Sequence, residues 1–467
     1  MALTAFTARN IQVDGLDDKD AAQLIELFDV WDSRRVANYN RSLYYDTEQA
    51  FKDLGIALPP QLKAAKFYLG WPTQAVRKHA LRTQFDGLRL PGSDDPFELG
   101  EVLSYNRFPL EFGQNVLAAG THGFSLVTVS KDDRGFVQVQ GHSAEHCAAV
   151  WDYRSRSVGA ALTISEFDKR GPRVVTLWLP DKVAVLARGE GDAWSTVQVS
   201  VNPLGRVLAV AVTHDPQLRK PLGRSRITRS VMALTDMAVR THVRMEGNAE
   251  FYSSPQLALL GLDESAFDAL SESEATKFRL AMNRVIGFTR DSDGRVPELK
   301  QLSQATMQPH SDMLRTVAMA FSGETGIPPS SLGIIHDQPA SAEAIRAAEH
   351  DLLIDATYHN RYVYAQAVRD IMALVLMVRD NTAALPDEFH KLTVRFVDPE
   401  FRSLSAQADA VQKLAAGMPD IAQWDVLLEQ VFDAGQIARV KSDKRRAEGG
   451  SLVERLARLR DAGAEAE

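Results

Sequence analysis

The sequence predicts an α+β protein in which a compact β module interrupts a mainly helical chain. Three observations predict it. The segment from Phe124 to Val212 is rich in Val, Thr and aromatic residues broken by turn signals. The segments on either side carry apolar residues at helical spacing. Hydrophobic residues make up 45% and charged residues 24% of the 467 positions, the balance of a chain that can bury a core.

The N-terminal segment 20–55 reads as helix through Ala22, Leu24, Ile25, Leu27 and Phe28, with Tyr44, Tyr45 and Phe51 following. A second helix is expected over Lys63–Thr83, a loop over Gly87–Pro96, and a third helix over Glu98–Ala119. Seven strands are then expected: Phe124–Val129, Phe136–Gln140, Ala148–Tyr153, Ala160–Phe167, Val174–Leu179, Lys182–Ala187 and Thr196–Val201. Asp132–Gly135 and Asp168–Gly171 read as hairpin turns. Together these describe an antiparallel module of about 90 residues.

Past Ser225 the pattern becomes helical. Ser225–Asn248 places Ile227, Val231, Leu234, Ala238 and Val239 on one face. A hairpin, Val285–Thr289 with Val296–Leu302, is expected around Asp291 to Gly294, then a helix over Gln304–Ser322. Ser341 reads as the N-cap of a helix running to Arg379, with Glu343 and Glu349 early in it, where the helix dipole favours acids. At 1.5 Å per residue that helix spans on the order of 55 Å. A strand over Leu392–Val397 precedes helices at Leu404–Ala416, Ile421–Phe432 and Gln436–Arg446, and a charged tail.

Composition narrows the function. A single cysteine, Cys147, excludes a disulfide framework and a thiolate zinc site. No basic region followed by an apolar run opens the chain, so no secretory signal is expected. The longest apolar run, Met372–Val378, falls far short of the roughly 20 residues of a membrane span. The net charge is −8, unlike that of a protein that grips DNA by neutralising phosphates.

Catalytic motifs are missing. There is no Walker A sequence (G-x-x-x-x-G-K-S/T) and no H-E-x-x-H. Ala187–Gly191 lacks the third glycine of a dinucleotide fingerprint and reads as a turn. His142, His146 and Cys147 lie close together, but no carboxylate at diagnostic spacing completes a metal site. The acidic pairs Asp17-Asp18, Asp94-Asp95 and Asp132-Asp133 sit in turn-like contexts, where aspartate serves the backbone. No catalytic, cofactor or metal residue is therefore assigned, and no enzyme activity is expected. Two basic clusters stand out: Arg219, Lys220, Arg224, Arg226 and Arg229, and Lys441, Lys444, Arg445 and Arg446. A solvated face is the simpler account of both, and contact with DNA or an acidic partner the sharper one.

Several segments, in order, resemble the portal proteins of tailed bacteriophages, in particular the branch found in phages of actinobacteria. They are NRSLYYD (Asn40–Asp46), FDGLRL (Phe85–Leu90), ALTISEFD (Ala161–Asp168), LWLPDKVAVL (Leu177–Leu186), Pro221–Asp263, His310–Ile334, Pro339–Leu353 and Val394–Leu414. One departure is visible: Thr47 stands where the family often has glycine. The resemblance implies a ring, usually of about twelve subunits, that conducts DNA during packaging and ejection. It implies a helical and β wing over 1–223 (helices 1–119, β module 120–215) and an outer stem helix over 224–249. A mixed clip would take 250–303, an inner stem helix 304–326 and a tunnel loop 327–340. The long wing helix and return strand would take 341–403, and a helical crown and tail 404–467. Implied partners are further copies of the chain, double-stranded DNA, the terminase large subunit, a head–tail adaptor, the major capsid protein and scaffold. The implied location is the virion, with assembly in the host cytoplasm, and no cofactor is implied.

On this reading Ile334, Ile335, His336, Asp337 and Gln338 are channel candidates. Arg290, Asp291, Asp293 and Arg295 are docking candidates in the clip, and Arg224, Arg226 and Arg229 are basic candidates of the stem. The competing readings are a DNA-processing enzyme and another head–tail ring.

Overall fold

The computed structural model describes residues 13–50, 52, 67–189, 193–253, 257–260, 298–301, 306–334, 342–400, 404–417 and parts of 432–446. In chain order the elements are β1 (Val13–Asp14), α1 (Asp18–Tyr45), α2 (Trp71–Ala80), β2 (Phe85–Arg89), α3 (Gly100–Tyr105) and α4 (Phe108–His122). Eight strands follow: β3 (Phe124–Lys131), β4 (Val137–Ser143), β5 (Cys147–Asp152), β6 (Ser157–Asp168), β7 (Gly171–Trp178), β8 (Lys182–Arg188), β9 (Trp194–Val201) and β10 (Ala209–Thr213). Then come α5 (Arg229–Ser253), β11 (Leu257–Leu260), β12 (Glu298–Gln301) and α6 (Gln308–Thr325). The last are α7 (Ala342–Tyr358), a π-helical segment (His359–Tyr364), α8 (Ala365–Asp380), β13 (Thr393–Phe396) and α9 (Leu404–Gly417). The chain divides into one unit of Met1–Tyr45, Thr73–Thr228 and Ala340–Glu467 and a second of Asp46–Pro72 and Arg229–Pro339.

In the first unit the expected β module forms two open sheets. The larger has the order β1-β9-β8-β7-β6-β5, antiparallel except where β1 joins β9 in parallel. The smaller has the order β10-β3-β4. Alternation along the strands assigns each face. On one face of the larger sheet Leu162, Val175, Leu177, Leu186 and Trp194 pack against Leu24, Leu27, Phe28 and Trp31 of α1. On the other, Cys147, Ala149, Ala161 and Trp178 meet Leu126 and Ala209 of the smaller sheet. The opposite face of that sheet, with Val127, Val129, Val139 and Val212, is covered by Phe112 and Val116 of α4 and by Val368, Ile371 and Val375 of α8. The order of layers is α1, large sheet, small sheet, then α4 with α8. The apolar run Met372–Val378 is thereby buried inside the unit, and no helix among the described residues is long and apolar enough to cross a membrane.

Two expectations need correction. The helix over Glu98–Ala119 is broken between Tyr105 and Phe108, with Arg107 in the left-handed region at φ 48°. Pro109 explains the break, because its ring would clash with the Tyr105 carbonyl in a continuous helix. Gly87–Arg89 is strand rather than loop, since β2 pairs antiparallel with β13. β12 pairs antiparallel with β11, while its expected partner, Val285–Thr289, lies outside the described residues. The helix expected from Ser341 to Arg379 is helical from Ala342 to Asp380, with the π-helical segment inside it.

In the second unit α5 and α6 pack together. Val231, Ala238, Val239 and Val243 of α5 are buried, as are Val317, Ala318 and Phe321 of α6. Trp71 lies 5.2 Å from Phe321, ring to ring, and its Nε1 donates to the Leu332 carbonyl at 3.3 Å. Lys52 pairs with Asp236 at 2.7 Å.

Buried His122 and half-buried His142 of the first unit contribute to its acid response. Burial first, and then neighbouring positive charge, pushes His122 and His142 down to about 4. In the unfolded chain both titrate near 6.5. Between those values the unfolded chain binds protons that the native chain does not. Stability is therefore full above about pH 6.5 and declines as the pH falls toward about 4, each group contributing at most on the order of 3 kcal/mol. Urea melts across this range should show the decline, and His142→Gln should make it shallower. A stability independent of pH from 7 to 4 would contradict the assignment.

Candidate functional site

The basic cluster after β10 is where the sequence expectation is best tested by geometry. The chain turns at a small hairpin in which Gln217 and Lys220 bridge, and Leu218 at its tip is 99% exposed. It then passes close to itself at Gly223, which has φ +78°. A Cβ there would lie 2.4 Å from the carbonyl oxygens of both Gly123 and His214, so no other residue fits. Arg224 is exposed and stands 3.7 Å from Asp215, and Arg229 is exposed at the start of α5. Arg226 is turned inward. Its Nη1 lies 2.6 Å from Asp355 Oδ2, and its Nε donates to the Ala75 carbonyl at 2.9 Å. Of the three basic candidates, Arg226 is thus committed to an internal ion pair and withdrawn from any DNA surface.

Around that ion pair three histidines from distant parts of the chain converge. His79 comes from α2, His214 follows β10, and His359 opens the π-helical segment. All three are buried. The rings of His214 and His359 are stacked with centroids 4.4 Å apart, and His79 meets both edge-on at 5.1 and 4.9 Å. His359 Nδ1 lies 2.8 Å from the Asp355 backbone oxygen and 3.0 Å from its Oδ1, while His359 Nε2 accepts from the Asp215 amide at 3.3 Å. His214 Nδ1 lies 3.1 Å from the Tyr364 hydroxyl. His79 Nε2 has no hydrogen-bond partner and stands 3.6 Å from Asp355 Oδ2.

The electrostatics follow from burial. Desolvation, helped by Arg226 for His79 and by the neighbouring imidazoles for His214, holds both well below the usual histidine range. Burial alone would raise Asp355, but the bond to His359 and the charge of Arg226 hold it well below the carboxylate range. Burial pushes the Tyr364 hydroxyl upward. The node is one carboxylate and one guanidinium set among three imidazole rings. Sequence reasoning missed it, because residues 79, 214 and 359 share no local spacing.

The other candidates are placed less completely. Ile334 follows the 3₁₀ turn Pro329–Leu332, and its amide donates to the Pro329 carbonyl at 3.2 Å. Ile335, His336, Asp337 and Gln338 lie outside the described residues, as do Arg290, Asp291, Asp293 and Arg295. His142 is spent on Thr128, His146 packs on Phe167, and Cys147 is buried with its thiol pushed upward by burial. The acidic pairs do not converge. Asp132 accepts from the amides of Arg134 and Phe136, Asp95 accepts from that of Gly100, and Asp17 stands near Lys182.

Comparison with known proteins bears on the whole chain. A model of the family described as phage portal protein, SPP1 Gp6-like, matches residues 32–449. The portal protein of Mycobacterium phage L5 is 28% identical over 384 residues, covering 79% of this chain and 77% of that protein. The portal protein of Mycobacterium phage D29 is 27% identical over 382 residues, with the same coverage. Among solved structures, a chain of the neck of a native GTA particle computed with C12 symmetry aligns at 13% identity and a TM-score of 0.41. That alignment covers 74% of this chain and 84% of that one.

Asp355→Asn leaves the Arg226 guanidinium without its anion. Because the Asp355 side chain is 37% exposed, the loss should be below that of a fully buried pair, about 2–3 kcal/mol. Urea denaturation measures it. The double variant Arg226→Met with Asp355→Leu should recover part of the loss, and additivity of the two single effects would show that they do not interact.

Proposed function

This chain belongs to the phage portal protein family, SPP1 Gp6-like, and from that premise we propose that it assembles a closed homo-oligomeric ring of about twelve copies at one capsid vertex. The ring is the conduit through which double-stranded DNA enters the head and later leaves it. It docks the terminase large subunit during packaging and a head–tail adaptor afterwards, and it meets the major capsid protein and scaffold as the shell is built. It resides in the virion and is assembled in the host cytoplasm. The observation that carries the reading is the family match, which runs over residues 32–449.

The proposed division keeps the boundaries read from the sequence: wing 1–223, outer stem 224–249, clip 250–303, inner stem 304–326, tunnel loop 327–340, long wing helix and return strand 341–403, and crown 404–467. Two physical features favour the conduit. The helical run Ala342–Asp380 supplies a stiff spine. At −8 per chain a ring of about twelve copies carries roughly −96, which repels DNA overall and avoids the tight phosphate binding that would stall a moving duplex.

The purified chain should form a ring of about 620 kDa, twelve copies of 51.6 kDa, with an open channel in single-particle images. A compact monomer that also fails to enter capsids in infected cells would overturn the conduit. Ile335→Ala or His336→Ala should impair packaging or genome retention while leaving the ring intact, and normally filled heads would remove these residues from the channel. Charge reversal of Asp291 and Asp293 should weaken terminase docking, as a pull-down would read.

A further inference from the structure

The buried histidine node has no role in the conduit reading, yet its chemistry is specific. One ring nitrogen from each of His79, His214 and His359 lies within 4.8 Å of those of the other two. This is the only such convergence of three histidine, cysteine or acidic side chains among the described residues. We propose that His79, His214 and His359 bind one late first-row divalent ion, Zn²⁺ by its donor set, as a structural site joining α2, the turn after β10 and the π-helical segment.

Three observations carry this. Imidazole nitrogen is a favoured donor for Zn²⁺ and a poor one for Mg²⁺ or Ca²⁺. His79 Nε2 is buried and without a hydrogen-bond partner, a costly condition that a metal ion relieves. His359 meets Asp355 through Nδ1 and His214 meets Tyr364 through Nδ1. In each ring Nδ1 is thereby engaged, the kind of outer contact that orients metal-binding histidines, and Nε2 remains as the donor atom, that of His359 accepting from the Asp215 amide. Asp355 supplies the negative charge beside the site. Two features oppose binding and set its scale. A tetrahedral ion with nitrogens at 2.0–2.1 Å holds them roughly 3.4 Å apart, so the rings must draw in, His214 and His359 must rotate out of their stack, whose planes are 11° apart, and His359 Nε2 must exchange the Asp215 amide for the ion. Arg226, on the same Asp355 oxygen, adds positive charge nearby.

The test uses the full-length chain without an affinity tag, stripped with chelator. Cobalt(II) is titrated and read by the visible absorption of the tetrahedral ion, then displaced with Zn²⁺; native mass spectrometry counts ions per chain. The expected result is one ion per chain at micromolar protein, a rise of a few degrees in melting temperature with Zn²⁺, and no rise with Mg²⁺. His79→Gln, checked for folding by circular dichroism, should lose the cobalt spectrum and the shift in melting temperature. Cys147→Ser should keep both. Should His79→Gln fail to fold, the wild-type count and spectrum decide alone. Absence of a stoichiometric ion in the wild type, or unchanged binding in folded His79→Gln, overturns the site.

Discussion

The first unit depends on how a single carboxylate is accommodated. Asp355 sits on a helix that starts at Ala342, and its partners are His79, Arg226 and His359, with His214 stacked on His359. The Asp355 side chain is only partly withdrawn from water, but the Arg226 guanidinium that meets it is buried and must be matched at close range. Arg226 provides the match, and the three imidazoles pack around the pair. The result ties four distant stretches of chain to one point. It also explains the tight crossing at Gly223: only with no Cβ can the backbone reach from the hairpin back to His214 and deliver Arg226 inward.

The layers around this point explain each other. The small sheet is covered on one face by α4 and α8 and on the other by the large sheet, so its strands carry apolar residues on both faces and its central strand shows little alternation. The large sheet has α1 as its outer cover, and its far strand β9 leaves Val197, Val199 and Val201 exposed. Polar side chains pin α1 as well. Trp31 Nε1 donates to the Glu145 carbonyl at 2.8 Å and Asn38 Nδ2 to the Ala144 carbonyl at 3.1 Å, both in the turn before β5.

The legible parts of the sequence were those whose signal is local. All seven strands expected between Phe124 and Val201 are present, because alternation and Asx turns such as Asp132 and Asp168 act within a few residues. β10 was not anticipated, since five residues of AVAVT carry little pattern of their own and are strand because β3 pairs with them. β2 was hidden for the same reason, its partner lying some 300 positions onward at Thr393–Phe396. The break before Phe108 was readable in Pro109 and was passed over. The histidine node was not readable at all, because it exists only once three elements have folded together. The family resemblance rests on the ordered pieces of sequence and needed none of this geometry.

The π-helical segment has a consequence for how this chain can vary. Leu352, Ala356, Asn360, Tyr364 and Val368 are buried and fall four residues apart. In an ideal α-helix each such step rotates about 40° away from the core, so the stripe would wander off its face. The wider turn at His359–Tyr364 takes up part of that slip. It acts as a phase corrector between two helical halves. Deleting one residue there would let the segment close to ordinary helix with little change in the facing of Val368, Ile371 and Val375, because the wide turn holds about one residue more than an α turn, whereas a deletion within either α-helical half would swing its far end by about 100°. The π-helical segment is therefore the one point along Ala342–Asp380 where a related chain could lose a residue and keep both buried stripes on the core.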